Sequence, residues 1–487
     1  MPFLIALLAG AASVLAYAPF DQFWLMPLSW GVLYALLRHE SMRPGRGFLL
    51  GWAWGSGALF AGLCWLVVAL NRFGGLSAPL SVALILLFCM ALALYPALAA
   101  ALFVRLRKRE WGQRVLLMAA CWIGAELLRG QVFPAFPWLS VGYTQTPPSP
   151  LAGWAPVFGV YGVGFLLAVV SALLVEAWLN PVARRRALWV SVLICAGGFG
   201  LRFVTWTQPV GAPVRVALIQ PNVAQDQKWR SDTLMQQLQM NVDLLRRYPA
   251  QIMVMPESSL PLFESNLPQG YLELIERDAR AVGGDAILGV FTSDASGGIY
   301  NSVITRGRSP VQHYSKNHLV PFGEFQPWGF GWFFKLANIP MANQTPGGDH
   351  QALLEVAGQK VAMNICYEDV FGEELIRALP EATLMLNVSN LAWYGDSHAQ
   401  PQHLQMSRMR ALESGRPQLR STNTGMTGVV NPDGSVARVL APFTQGAVVT
   451  DVRGFQGRTP FIWLGDWPIK LGVVLILLYC LRGARRR

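Results

Sequence analysis

The chain has 487 residues, of which 53% are apolar and only 14% charged, with a formal net charge of +11. That balance points away from a soluble enzyme and towards membrane spans. The positive charge lies in clusters at the ends of apolar runs, so it marks membrane topology and no nucleic-acid partner is expected.

A helix needs about 20 apolar residues to cross the hydrocarbon core. Runs at 3–17, 23–37, 49–70, 80–104, 115–128, 160–178, 187–203 and 467–481 are expected to form a polytopic bundle of about eight spans. Ala16-Tyr17-Ala18 also resembles a signal-peptide cleavage site, but Met1-Pro2 offers no basic stretch and a second apolar run follows at once, which favours a span. Arg38, Arg43 and Arg46 follow the second run, and Arg105, Arg107, Lys108, Arg109 and Arg114 the fourth. Arg184, Arg185 and Arg186 follow the sixth, and Arg482, Arg485, Arg486 and Arg487 end the chain. All four clusters fall on one side of an eight-span bundle, which the positive-inside rule makes cytoplasmic. The expected organisation is a bundle over 1–205, an extracytoplasmic domain over 206–460, and a final helix with a basic tail over 461–487. Glu126 reads as the main acid inside a span, with Arg129 one turn on as its structural partner.

The 206–460 segment is long enough for a domain with its own core. It opens with a strand at 214–219, then Ser231, an expected N-cap, begins a helix with Leu234, Leu238, Val242 and Leu245 on one face. A strand at 252–255, a helix at 271–282 and a strand at 286–291 follow. Later strands are expected at 300–305, 361–365, 383–386, 418–421 and 426–430, the last leading into a turn at Asn431-Pro432-Asp433-Gly434. Strand–helix alternation that gives way to hairpins predicts a mixed sheet layered with helices. From Pro327 to Leu336, aromatics including Trp328, Phe330, Trp332 and Phe333 alternate with glycines. This stretch reads as a mobile arm that dips into the membrane interface, or as a cap on the domain core.

Three functional side chains follow strand-like stretches in order: Glu257, Lys316 and Cys366. Of six cysteines, Cys366 alone stands outside a long apolar run, and with no second cysteine in its region a disulfide within that domain is impossible. It reads as a nucleophile or as an inert core thiol. A free thiol titrates near pH ~8.5, so it needs a base and a nearby cation to react at neutral pH. Glu257 supplies the base and Lys316 the cation, with the Tyr367 N–H as a second oxyanion donor. That set describes acyl transfer through a thioester. His318, His398 and His403 lack metal-ligand spacing, so neither a metal nor another cofactor is expected.

The run from Lys316 to Glu324, Ile365-Cys366-Tyr367-Glu368, and His403 through Glu413 with its Met406-Ser407-Arg408-Met409-Arg410-Ala411-Leu412 core together resemble apolipoprotein N-acyltransferases. Phe136-Pro137-Trp138 and Gly142-Tyr143 extend the resemblance into the bundle. It implies a nitrilase-like αββα sandwich on the periplasmic side of a bacterial inner membrane. It implies Glu257 as base, Lys316 as oxyanion cation, Cys366 as acylated nucleophile and Glu324 as the acid that orients the lysine. Trp229, Tyr367 and Glu368 match residues that shape the site. Trp332 and Phe333 are expected to meet substrate because of their own place in the arm beside Lys316, not from the resemblance. The implied reaction is ping-pong, with a phospholipid as acyl donor and the diacylglyceryl-cysteine of a lipoprotein as acceptor. One departure is Leu391 after Ser389-Asn390, where the family commonly carries Asp. A membrane-tethered amidase with the same three residues, and a scaffold with an inactive hydrolase-like domain, are the other readings of the chain.

Overall fold

The computed structural model describes residues 1–108, 110–132, 135–331 and 343–484. The chain divides into two units. One comprises Met1–Val67, Ser77–Thr205 and Thr459–Arg487, and the other Val68–Leu76 with Trp206–Arg458.

The first unit is helical: α1 (Pro2–Ala12), α2 (Leu25–Leu37), α3 (Pro44–Leu63), α4 (Ala78–Leu106), α5 (Trp111–Gln131), α6 (Ala155–Leu179), α7 (Pro181–Leu201) and a closing helix, Trp467–Ala484. Helices thus occupy all eight expected runs, yet among the described residues only two meet the length and apolarity of a span, Ala78–Leu106 and Pro150–Leu179. The pair Pro44–Leu63 and Leu66–Phe73, bent by 61°, makes a third if it counts as one span. The expected count of eight exceeds this because α1 and α2 are only 11 and 13 residues long, and α5 and α7 carry several charges. Helix α7 turns Leu188, Trp189, Val192 and Leu193 outward, the exposed apolar face that a lipid-facing helix presents.

Two polar clusters sit inside this unit. The charge of Arg129 acts on Glu126 as expected, but no hydrogen bond or close ion pair joins the two. Instead Glu126 Oε1 accepts from the Val141 N–H at 3.1 Å, and Arg129 Nη1 donates to the Phe136 and Trp138 carbonyls at 2.7 and 2.6 Å. Both anchor the irregular 135–141 stretch, whose main-chain groups need partners away from water. Glu176 is a second acid that the sequence did not single out. It is fully buried and takes bonds from Tyr34 at 2.8 Å, Arg114 at 3.0 Å and Arg38 at 3.2 Å.

The second unit holds two six-stranded sheets, as the αββα resemblance implies, where the strand–helix pattern alone suggested one mixed sheet. The first runs β12-β1-β2-β3-β4-β5, from β1 (Thr207–Gln220), β2 (Ile252–Val254), β3 (Asp285–Ser293), β4 (Ile299–Gly307), β5 (His313–Ser315) and β12 (Gly446–Gly457). The second runs β11-β10-β9-β8-β7-β6, from β6 (Leu354–Val356), β7 (Gln359–Ile365), β8 (Leu384–Ser389), β9 (Gln418–Thr422), β10 (Gly428–Val430) and β11 (Val436–Val439). Alternate residues of each strand build the layers. Val216, Leu218, Val254 and Ile287 meet Val361, Met363, Leu384 and Leu386 in one core between the sheets. The other face of the first sheet, with Ala217, Ile219, Met253 and Leu288, packs on α8 (Ser231–Arg247) through Leu238, Val242 and Leu245 and on α9 (Tyr271–Ala281) through Ile275. The outer face of the second sheet carries Asn364, Asn387 and Arg420, buried like α10 (Ala399–Ser414). The layering is therefore αββα, with an apolar centre and a polar fourth layer. Ser231 is the first helical residue of α8, and its side chain makes no capping bond.

Leu386 is fully buried between the sheets, so Leu386→Ala leaves a cavity in the shared core. We expect it to destabilise the protein by about 2–5 kcal/mol, read from thermal or denaturant unfolding of the purified full chain.

Candidate active site

The centre of each sheet is parallel: β1, β2 and β3 in the first, β7, β8 and β9 in the second. Strand β5 is antiparallel to β4, which is antiparallel to β3, so it points the same way as β2. The residues beyond these strand ends share one edge, where reactive groups collect in layered α/β folds. Ser421 joins the two sheets there, its hydroxyl donating to the Ile219 and Val254 carbonyls at 2.8 and 3.1 Å. Glu257 follows β2, Lys316 follows β5, and Cys366 and Asn390 follow β7 and β8 directly. Gly289 lets the Glu257 turn pass close to β3, since a Cβ there would lie 2.6 Å from the Ser258 nitrogen.

The structure unites the three candidates. Lys316 Nζ, fully buried, lies 2.6 Å from Glu324 Oε1 and 3.6 Å from Glu257 Oε1. Burial opposes its charge, but Glu324 and then Glu257 outweigh that and hold its pKa above the usual lysine value. Burial raises Glu324 in turn, against the pull of Lys316. The Val320 N–H bonds Glu324 Oε2 at 2.8 Å. Glu257 is fixed at both oxygens, by Asn301 Nδ2 at 2.7 Å and the Asn390 N–H at 2.8 Å.

Cys366 has φ +56°, a left-handed conformation that costs a non-glycine residue about 1–3 kcal/mol. This sharp turn out of β7 presents the side chain at the strand edge. Burial first, and then Glu257, push its thiol pKa up, with Lys316 pulling it back. The pull of Lys316 does not outweigh burial and Glu257, so the thiol pKa stays above its usual value, in keeping with the expectation that a base is needed as well as a cation. The main chain beneath is pinned. Asn387 Nδ2 donates to the Cys366 carbonyl at 3.1 Å, and Glu368 Oε2 accepts from the Ile365 N–H at 2.6 Å. Glu368 Oε1 reaches the other loop, accepting from the Asn317 N–H at 2.7 Å and the His318 N–H at 3.2 Å. One carboxylate thus ties the Cys366 turn to the Lys316 loop, and Tyr314 OH adds a bond at 3.0 Å.

Behind the turn, Asp369 bonds Arg420 at 2.9 Å and Ser407, and Arg420 Nη2 meets His403 Nδ1 at 3.1 Å. Burial and Arg420 lower the His403 pKa, leaving a neutral ring in a structural network. Among the described residues, no group of three or more His, Cys, Asp or Glu side chains is arranged to hold a metal. Of the other expected site residues, Tyr367 is buried with its ring 5.2 Å from Phe371, and Trp229 is 42% exposed beside Phe291. Trp332 and Phe333 lie outside the described residues. At the start of the arm Trp328 is 97% exposed, while Phe330 meets Phe322 at 5.0 Å. Leu391 is buried, one residue beyond the Asn390 amide that holds Glu257. The sequence reading missed Lys228, Asn301 and the amide of Asn390. The only local signal for Lys228 was its place before Trp229.

Two family models match the chain: the apolipoprotein N-acyltransferase N-terminal domain over residues 9–173, and carbon-nitrogen hydrolase over 215–454. It is 43% identical to the apolipoprotein N-acyltransferase of Nitrosomonas europaea over 473 residues, 96% of this chain and 95% of that one. It is 42% identical to that of Chromobacterium violaceum, over 99% of this chain and 94% of the relative. Among solved structures, an amidase from Nesterenkonia sp. AN1 aligns with a TM-score of 0.38 at 20% identity, covering 53% of this chain and 98% of its own.

Glu368 generates a pH prediction. Burial raises its pKa from 4.5 to about 7, against the main-chain N–H groups that favour the anion. The folded state therefore keeps a proton that the unfolded chain has already lost. The contribution of this group to stability is full below about pH 4.5 and is lost as pH rises through about 7. Denaturant titrations at about pH 5 and about pH 7 should show that slope shrink in Glu368→Gln. The variant should also lose about 1–3 kcal/mol, because an amide donor now faces buried N–H groups.

Proposed function

Because this chain belongs to the apolipoprotein N-acyltransferase family, we propose that it moves a fatty acyl chain from a phospholipid to the α-amino group of the diacylglyceryl-cysteine that begins a lipoprotein. The observation that carries the reading is Lys316 held between Glu257 and Glu324, with Cys366 within reach of their charges.

In the first half-reaction the Cys366 sulfur attacks the ester carbonyl as its proton passes to Glu257. Lys316 and the Tyr367 N–H stabilise the oxyanion, and Glu324 holds the lysine in place. The tetrahedral intermediate collapses, the C–O bond breaks, and the departing glycerol oxygen takes the proton from Glu257. A lysophospholipid leaves and Cys366 carries a thioester. In the second half-reaction the acceptor amine attacks that thioester and Glu257 takes a proton from nitrogen. The C–S bond breaks, and the sulfur recovers a proton from Glu257 as the amide forms. Neither half needs a metal or cofactor beyond these side chains. Trp229, Tyr367 and Glu368 shape the site, and the arm beyond Pro327, with Trp332 and Phe333, meets acyl chains at the membrane interface.

The four basic clusters support a bundle of about eight spans in a bacterial inner membrane, with both termini cytoplasmic and the 206–460 domain periplasmic. Both substrates are lipid-anchored, which is a reason for joining a hydrolase-type domain to membrane helices.

Two experiments test the proposal. Protein given phospholipid without acceptor should gain the mass of one acyl chain on the peptide that contains Cys366, and neutral hydroxylamine should release it. Cys366→Ala should stay unlabelled and Glu257→Gln should label at least about 100-fold more slowly. Normal turnover by a wild-type enzyme that never becomes labelled would replace the thioester with direct transfer. Topology reporters fused after Arg46 and Arg186 should report cytoplasm, and one within 206–460 periplasm; a cytoplasmic signal from the domain would overturn the assigned side.

A further inference from the structure

Lys228 is a second lysine at this site, and the proposed mechanism does not use it. It is 3% exposed, and its Nζ donates to the main-chain carbonyl of Glu257 at 3.1 Å. Its ammonium lies 5.8 Å from the centre of the Trp229 ring. Among the described residues no carboxylate forms an ion pair with it. A buried ammonium held only by a carbonyl and a ring is expensive to keep. Lys228 donates to the main chain of the residue whose carboxylate faces Lys316.

Charge balance gives that position a purpose. The carboxylates of Glu257 and Glu324 oppose the ammonium of Lys316, which leaves one net negative charge before any thiol ionises. Moving the Cys366 proton to Glu257 shifts a negative charge onto sulfur without changing the total. A second ammonium makes the set neutral on both sides of that transfer. We infer that Lys228 is a positioning residue, which anchors the Glu257 turn and supplies the balancing charge that lets the Cys366 thiolate form. Glu257 and Cys366 are the groups whose charges act on Lys228, and Lys316 and Glu324 complete the set around Glu257. On its own loop, Asp226 and Arg230 are exposed and face Arg72 and Asp232 instead. Burial lowers the Lys228 pKa to about 8, against Glu257 and Cys366. The balancing charge is therefore present below about pH 8 and is lost above it.

The inference rests on the proposed acyl transfer only for why a thiolate is needed. Its test uses iodoacetamide, which requires neither phospholipid nor acceptor. Alkylation of the Cys366 peptide in the full-length protein is followed by mass spectrometry from about pH 6 to about pH 10. In the wild type the rise with pH should flatten near pH 8, as Lys228 loses its proton. Lys228→Arg should remove that flattening, because a guanidinium stays charged throughout. Lys228→Met should shift the profile up by about one pH unit and slow alkylation about tenfold at neutral pH. Folded variants that share the wild-type profile overturn the inference. If the Met variant does not fold, the Arg variant decides alone: an unmoved bend overturns it. An altered alkylation profile in protein that never forms an acyl-enzyme would count against the proposed function and leave Lys228 in its role. Normal acyl labelling with unmoved alkylation would do the reverse.

Discussion

Lys316 is an ammonium with no solvent exposure, held 2.6 Å from one carboxylate and 3.6 Å from another. A charge so buried persists only with close partners and a full set of hydrogen bonds around them, and much of the local architecture follows from that need. Glu324 has to approach from the loop after β5, so Val320 turns its N–H onto the acid. Glu257 has to present one oxygen to the lysine while both are held, so β4 contributes Asn301 and the end of β8 contributes the Asn390 amide. Such an arrangement adds little net stability, because desolvation consumes most of the attraction. Its effect is to make the relative positions of acid, cation and thiol nearly rigid.

The two faces of the second sheet illustrate how the fold supports that rigidity. Its inner face is apolar and interlocks with the first sheet through Leu384, Leu386 and Val388. Its outer face carries Asn364, Asn387 and Arg420, and α10 covers it with His403 and Ser407. Apolar packing is tolerant of direction, whereas hydrogen bonds to ions are directional. The side that joins the sheets thus supplies cohesion. The side behind Cys366 supplies orientation, through Asn387 at the Cys366 carbonyl and Asp369 held by Arg420. The same device recurs in the helical unit, where Glu176 gathers Tyr34 and Arg38 from α2 and its C-terminal end and Arg114 from α5.

A protonated resting thiol fits this picture. Burial and two carboxylates keep the proton on Cys366. In the proposed reaction, substrate and base would meet the thiol together, with Lys316 placed to receive the charge that moves. The left-handed turn at Cys366 brings the sulfur to the strand edge, and Glu368 clamps that turn to the loop of Lys316.

Much of this was legible in the chain before any coordinates. The apolar runs reported the helices, and short apolar stretches reported most of the strands. Cys366 stood out by isolation, and Glu257 and Lys316 by following strands. The spacing of Leu238, Val242 and Leu245 correctly assigned the buried face of α8, although the Ser231 cap did not form. What the sequence could not specify was partnership. Glu257 meets Lys228, Asn301 and Asn390 across 29, 44 and 133 residues. Glu126 and Arg129, one helical turn apart, feel each other's charge, yet both hydrogen-bond main-chain groups farther along the chain. Periodicity records which face of a local element is hidden from water, because every residue of that element responds to the same burial. The partner of a buried polar atom is set by which strand end or loop arrives opposite it, and that choice exists only once the two sheets have packed.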